Sequence, residues 1–137
     1  MRFMIIVRSV PEFEAMDGPD PDPAVFEAML HFHEELARAG VLLDCSGLHP
    51  GRQGWCVHHG ADAPRIVDGP YAEAKELIAG YTLIQARSRE EAIEWSRRFP
   101  NPMGAGRAAV VEVRQLFDLD EFKPGPAVDR FRRLMQA

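Results

Sequence analysis

Residues 3–7 read Phe-Met-Ile-Ile-Val, apolar at five consecutive positions. Successive side chains of an extended strand point to opposite faces, so Phe3, Ile5 and Val7 share one face and Met4 and Ile6 the other. A strand that is apolar on both sides needs cover on both sides. Whatever fold the chain adopts must shelter its first strand twice. That requirement narrows the choice more than composition does.

The rest of the chain offers two helices of useful length for the task. Residues 16–23 contain Asp-Gly-Pro-Asp-Pro-Asp-Pro, where three prolines and a glycine forbid regular structure. Asp22 is placed to cap a helix and Pro23 to occupy its first position, where a missing N–H costs nothing. This helix is expected over 23–39, with Gly40 ending it in a left-handed conformation. At 100° per residue, Phe26, Met29, Leu30, His33, Leu36 and Ala37 form one stripe, and His31 faces water. Residues 41–44 read as a strand, with 54–58 as its hairpin partner across Pro50-Gly51. Residues 65–67 form a short extended piece before the turn residues Asp68-Gly69-Pro70.

Residues 80–86 read as a strand. Ser88 and Glu91 form a capping box in which each side chain satisfies the other's backbone amide. A second helix over 89–99 follows, stopped by Pro100, with Ala92, Trp95, Ser96 and Phe99 on its inner stripe. Residues 108–116 form the last long strand, and 127–135 a C-terminal helix. The order is β-α-β-β-β-α-β plus a tail, which suggests an α+β fold of the ferredoxin-like, split βαβ kind with an antiparallel sheet. Two helices roof only one face of such a sheet. The other face, carrying Met4 and Ile6, is then an association surface, so a homodimer is expected.

Bulk properties set further bounds. A chain of 137 residues fits one domain, and 46% hydrophobic with 27% charged residues is a globular balance. A formal net charge of −5 with no basic stripe argues against nucleic-acid binding. The N-terminal apolar run is too short for a signal peptide or a membrane span, so a cytoplasmic location is expected. In that reducing compartment Cys45 and Cys56 are expected as free thiols, although the 41–59 hairpin would set them opposite each other.

The stretch Val67-Asp68-Gly69-Pro70-Tyr71-Ala72-Glu73-Ala74-Lys75-Glu76-Leu77-Ile78-Ala79-Gly80-Tyr81 resembles the hallmark of the YCII-related, or DGPF-domain, family, with Tyr71 where that family has Phe. Ala39-Gly40-Val41-Leu42, Gly47-Leu48-His49-Pro50 and Glu90-Glu91-Ala92-Ile93-Glu94-Trp95 are also similar to it. The likeness covers residues 1–122 and leaves 123–137 as a helical extension. It implies a dimeric α+β barrel with a pocket near the dimer interface. It also implies a His–Asp pair and, for some relatives, a link to sigma factors. Fold kinship alone is weak evidence for chemistry.

His33 is the sharpest candidate, because an imidazole within an apolar helical stripe faces the sheet. It is either a hydrogen-bonded core residue or a general acid/base whose tautomer Asp68 would set. Asp68 has a structural alternative, fixing the turn before Gly69, where a side chain would forbid the required conformation. Ordinary surface ion pairing would explain Glu73, Lys75 and Glu76; by resemblance they and Tyr71 also line the pocket rim. His49 can project from its turn into the same mouth or into solvent. Glu112 and Arg114 share a face of the last strand, opposite Val111 and Val113, and line either the dimer cavity or an edge. His58 and His59 are adjacent and point apart, so no metal site is expected. No nucleophile elbow, phosphate loop, dinucleotide fingerprint or haem attachment motif is present, so no cofactor is expected. Three classes stay open: a small enzyme using His33 with Asp68 on an organic substrate, a ligand-binding or regulatory module beside a sigma factor, and a purely structural interaction protein.

Overall fold

The computed structural model describes residues 1–18, 22–69, 73 and 76–137. Its strands are β1 (Arg2–Arg8), β2 (Leu42–Gly47), β3 (Trp55–His58), β4 (Arg65–Asp68), β5 (Ile78–Gln85) and β6 (Val111–Gln115). Its helices are α1 (Pro11–Glu14), α2 (Pro23–Arg38), α3 (Arg89–Arg97) and α4 (Pro126–Met135). Single 3-10 turns stand at Gly51–Gln53 and Leu119–Glu121. No described helix is long and apolar enough to cross a membrane.

The main sheet has the order β2-β5-β1-β6, and every neighbouring pair is antiparallel. With α2 between β1 and β2 and α3 between β5 and β6, this is the ferredoxin-like α+β arrangement. The expected hairpin between 41–44 and 54–58 does not form. β2 takes β5 as its partner, while β3 pairs with β4 in a separate two-stranded ribbon. Cys45 therefore lies opposite Thr82 and Cys56 opposite Val67, both as free thiols. Four strands, not three, separate the two long helices.

Alternation along β1 fixes which face is roofed. Phe3 pairs with Ile84 and Ile5 with Thr82, and all four side chains are buried. Phe32 and Leu36 of α2 and Ala92 of α3 close over them, with Val41 and Ala86 at the margin. The Phe32 ring meets Phe99 at 5.3 Å and Trp95 at 6.2 Å, both edge to face. Ile5, Leu36 and Ile84 are fully buried, each contributing about 1.5–3 kcal/mol of transfer free energy.

The α2 stripe is rotated from the expected one. Its inward side runs through Val25, Met29, Phe32, His33 and Leu36, whereas Phe26, Leu30 and Ala37 are exposed. The apolar arc of this helix is wider than the sheet can cover, so periodicity alone does not choose its centre. Both ends behave as the sequence suggests. Asp22 accepts from the Ala24 amide at 2.9 Å, and Gly40 takes φ +73°. At α3, Ser88 accepts from the Glu91 amide at 3.1 Å. The Glu91 carboxylate accepts from Arg87 N–H at 2.8 Å rather than from Ser88, so the box closes one residue early.

Candidate functional site

His33 sits where α2 crosses the sheet. Its Nδ1 lies 2.7 Å from the Met29 carbonyl and its Nε2 2.8 Å from the Thr82 hydroxyl. A carbonyl only accepts, so Nδ1 carries a proton, and in the neutral ring Nε2 accepts from Thr82. Thr82 is 2% exposed, and His33 thus satisfies a hydroxyl that has no access to water. Phe32 and Phe99 meet the imidazole edge to face at 5.6 and 6.2 Å. Within one chain both ring nitrogens are engaged, and Asp68 is not a partner. Proton transfer to an outside group requires one of these two bonds to open.

Asp68 ends β4 opposite Trp55 and is exposed. Gly69, beside it, is held from both directions. Its amide donates to the Gly54 carbonyl at 2.9 Å, and a Cβ placed on it would lie 2.1 Å from the Gly51 carbonyl oxygen. Glycine is therefore required here for space, its φ lying outside the left-handed region.

The turn that receives Gly69 is anchored by residues the sequence reading passed over. Gly51 N–H donates to one carboxylate oxygen of Glu14 at 2.7 Å, and the Ser9 hydroxyl donates to the other. The Arg52 guanidinium donates to the Glu14 and Met16 carbonyls and lies 3.6 Å from Asp17. Ser9 is 3% exposed, and its amide donates to the Leu77 carbonyl at 3.0 Å. One carboxylate on a four-residue helix thus ties the end of β1, the 51–53 turn and the approach to β5 together. The signal was present in Pro11 with Glu14 three residues on, a proline-led helix start too short to show periodicity.

His49 is exposed in the loop before buried Pro50, and Glu73 is exposed. Tyr71 and Lys75 lie outside the described residues. Arg114 pairs with Glu112 at 3.5 Å, and Glu112 pairs with Arg8 at 2.7 Å. Among the described residues no three metal-ligating side chains converge. A groove of about 510 Å³ runs between Gly40, Arg87 and Trp95, and one of about 350 Å³ between His31, Glu35 and Arg98. Neither is lined by His33, Asp68, His49 or Arg114.

The unroofed sheet face has its own organisation. Met4 pairs with Leu83 and Ile6 with Tyr81, which makes an apolar centre. Glu112 and Arg114 oppose Ile6 and Met4 on β6, and Tyr81 donates to Asp44 at 3.1 Å on the β2 side. The result is an apolar floor between paired charges on the β6 side and a Tyr81–Asp44 hydrogen bond on the β2 side. Such a surface suits an amphiphilic small molecule once something covers it.

Comparison with known proteins is consistent with this architecture. A family model described as a YCII-related domain matches residues 1–120. An uncharacterised protein of Rhizobium meliloti (strain 1021) is 29% identical over 82 residues, which are 60% of this chain and 66% of that relative. The chain thus spans just under two thirds of the length of the curated relative it matches.

Proposed function

The chain belongs to the YCII-related family, and from that premise we propose that it forms a homodimer binding a small organic molecule in a chamber between two paired sheets. The supporting observation is the unroofed face, with Met4, Ile6, Tyr81 and Leu83 flanked by Arg8, Glu112 and Arg114. A second copy laid on this face removes its apolar centre from water and leaves the paired charges at the chamber wall. In this reading Arg114, His49, Tyr71, Glu73 and Lys75 contribute to the rim. His33 and Asp68 act as the acid/base pair of a catalytic form, cytoplasmic in location, with 123–137 appended to the domain.

A second reading is favoured by one observation. Both ring nitrogens of His33 are taken within its own chain, by Met29 and Thr82, which leaves the imidazole a structural task. The protein is then a non-catalytic ligand-binding or regulatory module, a sigma factor being the partner that the family likeness suggests. Thermal-shift screening of organic metabolites against wild type and Asp68→Asn separates the two. A ligand present at 100 times its Kd stabilises the folded state by about 2.7 kcal/mol. Equal stabilisation of both proteins, without turnover, supports the module. Turnover lost in Asp68→Asn supports the enzyme. If no metabolite shifts either protein, the chamber proposal fails.

A further inference from the structure

Two segments of this chain carry apolar faces that are exposed among the described residues. The first is the β3–β4 ribbon. Its register sets Trp55, Val57, Ile66 and Asp68 on one face, and Trp55 and Ile66 are 63% and 67% exposed. A two-stranded ribbon is marginal in water without something to pack on. The second is α4, where Val128, Phe131, Leu134 and Met135 fall on one stripe and Phe131 and Leu134 are 59% and 67% exposed. A ten-residue helix is also marginal alone. Its packing partner within the chain is the Leu119–Glu121 turn, held by an Arg132–Asp120 ion pair at 3.0 Å.

These segments leave the sheet at opposite corners. β6, which leads to α4, is one edge strand, and its C-terminal residue Gln115 lies opposite Phe3. β2, which leads to the ribbon, is the other edge, and its last residue Gly47 lies opposite Gly80, itself opposite Val7. Three strand spacings and four residues of rise separate the two exits, roughly 20 Å. Within one chain α4 and the ribbon share at most marginal contact among the described residues. A two-fold axis perpendicular to the line joining the two exits exchanges these corners, and under it each α4 meets the other copy's ribbon.

Charge selects the same match. The chain is acidic overall, at −5, but α4 carries Arg130, Arg132 and Arg133 against Asp129 alone. Arg130 borders the apolar stripe beside Leu134 and has no ion-pair partner among the described residues. Asp68 closes the apolar face of the ribbon and likewise has none.

We infer that α4 of each protomer docks on the β3–β4 ribbon of a second copy, with Phe131 and Leu134 against Trp55 and Ile66 and Arg130 toward Asp68. The inference rests on the homodimer proposed above, adds a C-terminal clasp to it, and goes with the non-catalytic reading, since it takes Asp68 to Arg130. The test mixes two differently tagged full-length proteins, one carrying Ile66→Cys and the other Leu134→Cys, both with Cys45→Ser and Cys56→Ser. On mild oxidation, a disulfide-linked heterodimer should dominate over both linked homodimers. In wild type, hydrogen exchange over 55–68 and 126–135 should slow together, at least tenfold, above the dimer dissociation constant measured by sedimentation. Asp68→Arg or Arg130→Asp alone should raise that constant about two- to fivefold, and mixing the two variants should recover part of the loss. A sedimenting dimer without the heterodimer link or the joint protection overturns the clasp, leaves the sheet pairing standing and assigns both faces to another partner. A monomer at all concentrations overturns both.

Discussion

His33 reads as a catalytic candidate in the sequence, and in the folded chain both of its ring nitrogens are held by neighbours. Removing it by His33→Ala strips the buried Thr82 hydroxyl of its partner at 2.8 Å and frees the Met29 carbonyl. An unsatisfied buried polar group costs about 1–3 kcal/mol, so urea unfolding should reveal a loss of that size. Thr82→Val in the same background should cost little more, because the partner is already gone. An additive double variant would show that the bond carries no coupling. Gly69 makes the matching case for space. Gly69→Ala sets a methyl 2.1 Å from the Gly51 oxygen, and the backbone must move. The expected cost is about 1–3 kcal/mol in denaturant unfolding, with faster hydrogen exchange over 51–54. Reading the sequence finds that a glycine is needed at 69. It does not find the Gly51 carbonyl, which comes from eighteen positions upstream.

At the scale of elements, helix ends were the most legible feature, because capping is settled within four residues. Asp22, Ser88 and Gly40 all act where local chemistry puts them. Ser88→Ala should destabilise the protein by about 1 kcal/mol, read as a lower midpoint in urea at unchanged slope. Strand pairing was less legible. The 41–44 and 54–58 segments look like a hairpin locally, yet β2 finds β5 across more than thirty residues and β3 finds β4. A strand's partner depends on which neighbour best completes a buried face, and that information is spread over the chain. The inward face of α2 was misjudged for a related reason. Phe26 and Phe32 are equally apolar, and only contact with Ile5 and Ile84 decides that Phe32 goes in.

For the whole molecule, the decisive quantity is how much apolar surface one chain leaves uncovered. The buried core comprises Phe3, Ile5, Phe32, Leu36, Val41, Ala79, Ile84, Ala86 and Ala92, while Phe26, Trp55, Ile66, Phe117, Phe131, Leu134 and Met135 are exposed. Met4, Ile6, Tyr81 and Leu83 lie side by side on the unroofed face, a contiguous apolar patch of the kind that marks an interaction surface. Sedimentation velocity at micromolar concentration should therefore give a dimer. Ile6→Arg, which puts a charge at the centre of the unroofed face opposite Tyr81, should shift it to monomer while far-ultraviolet circular dichroism stays native. A wild-type monomer would remove the chamber, and with it the site.

Taken by itself, the sequence determined the α+β class, the main helices, the helix caps, the two-sided first strand and the likeness over most of the chain. These are set by periodicity, capping and turn chemistry, which act between near neighbours. Tertiary structure alone decided that His33 binds Thr82, that Glu14 holds the turn receiving Gly69, and that β3 and β4 stand apart as a ribbon. Each of these joins positions distant along the chain, and only the packed sheet brings them within bonding reach.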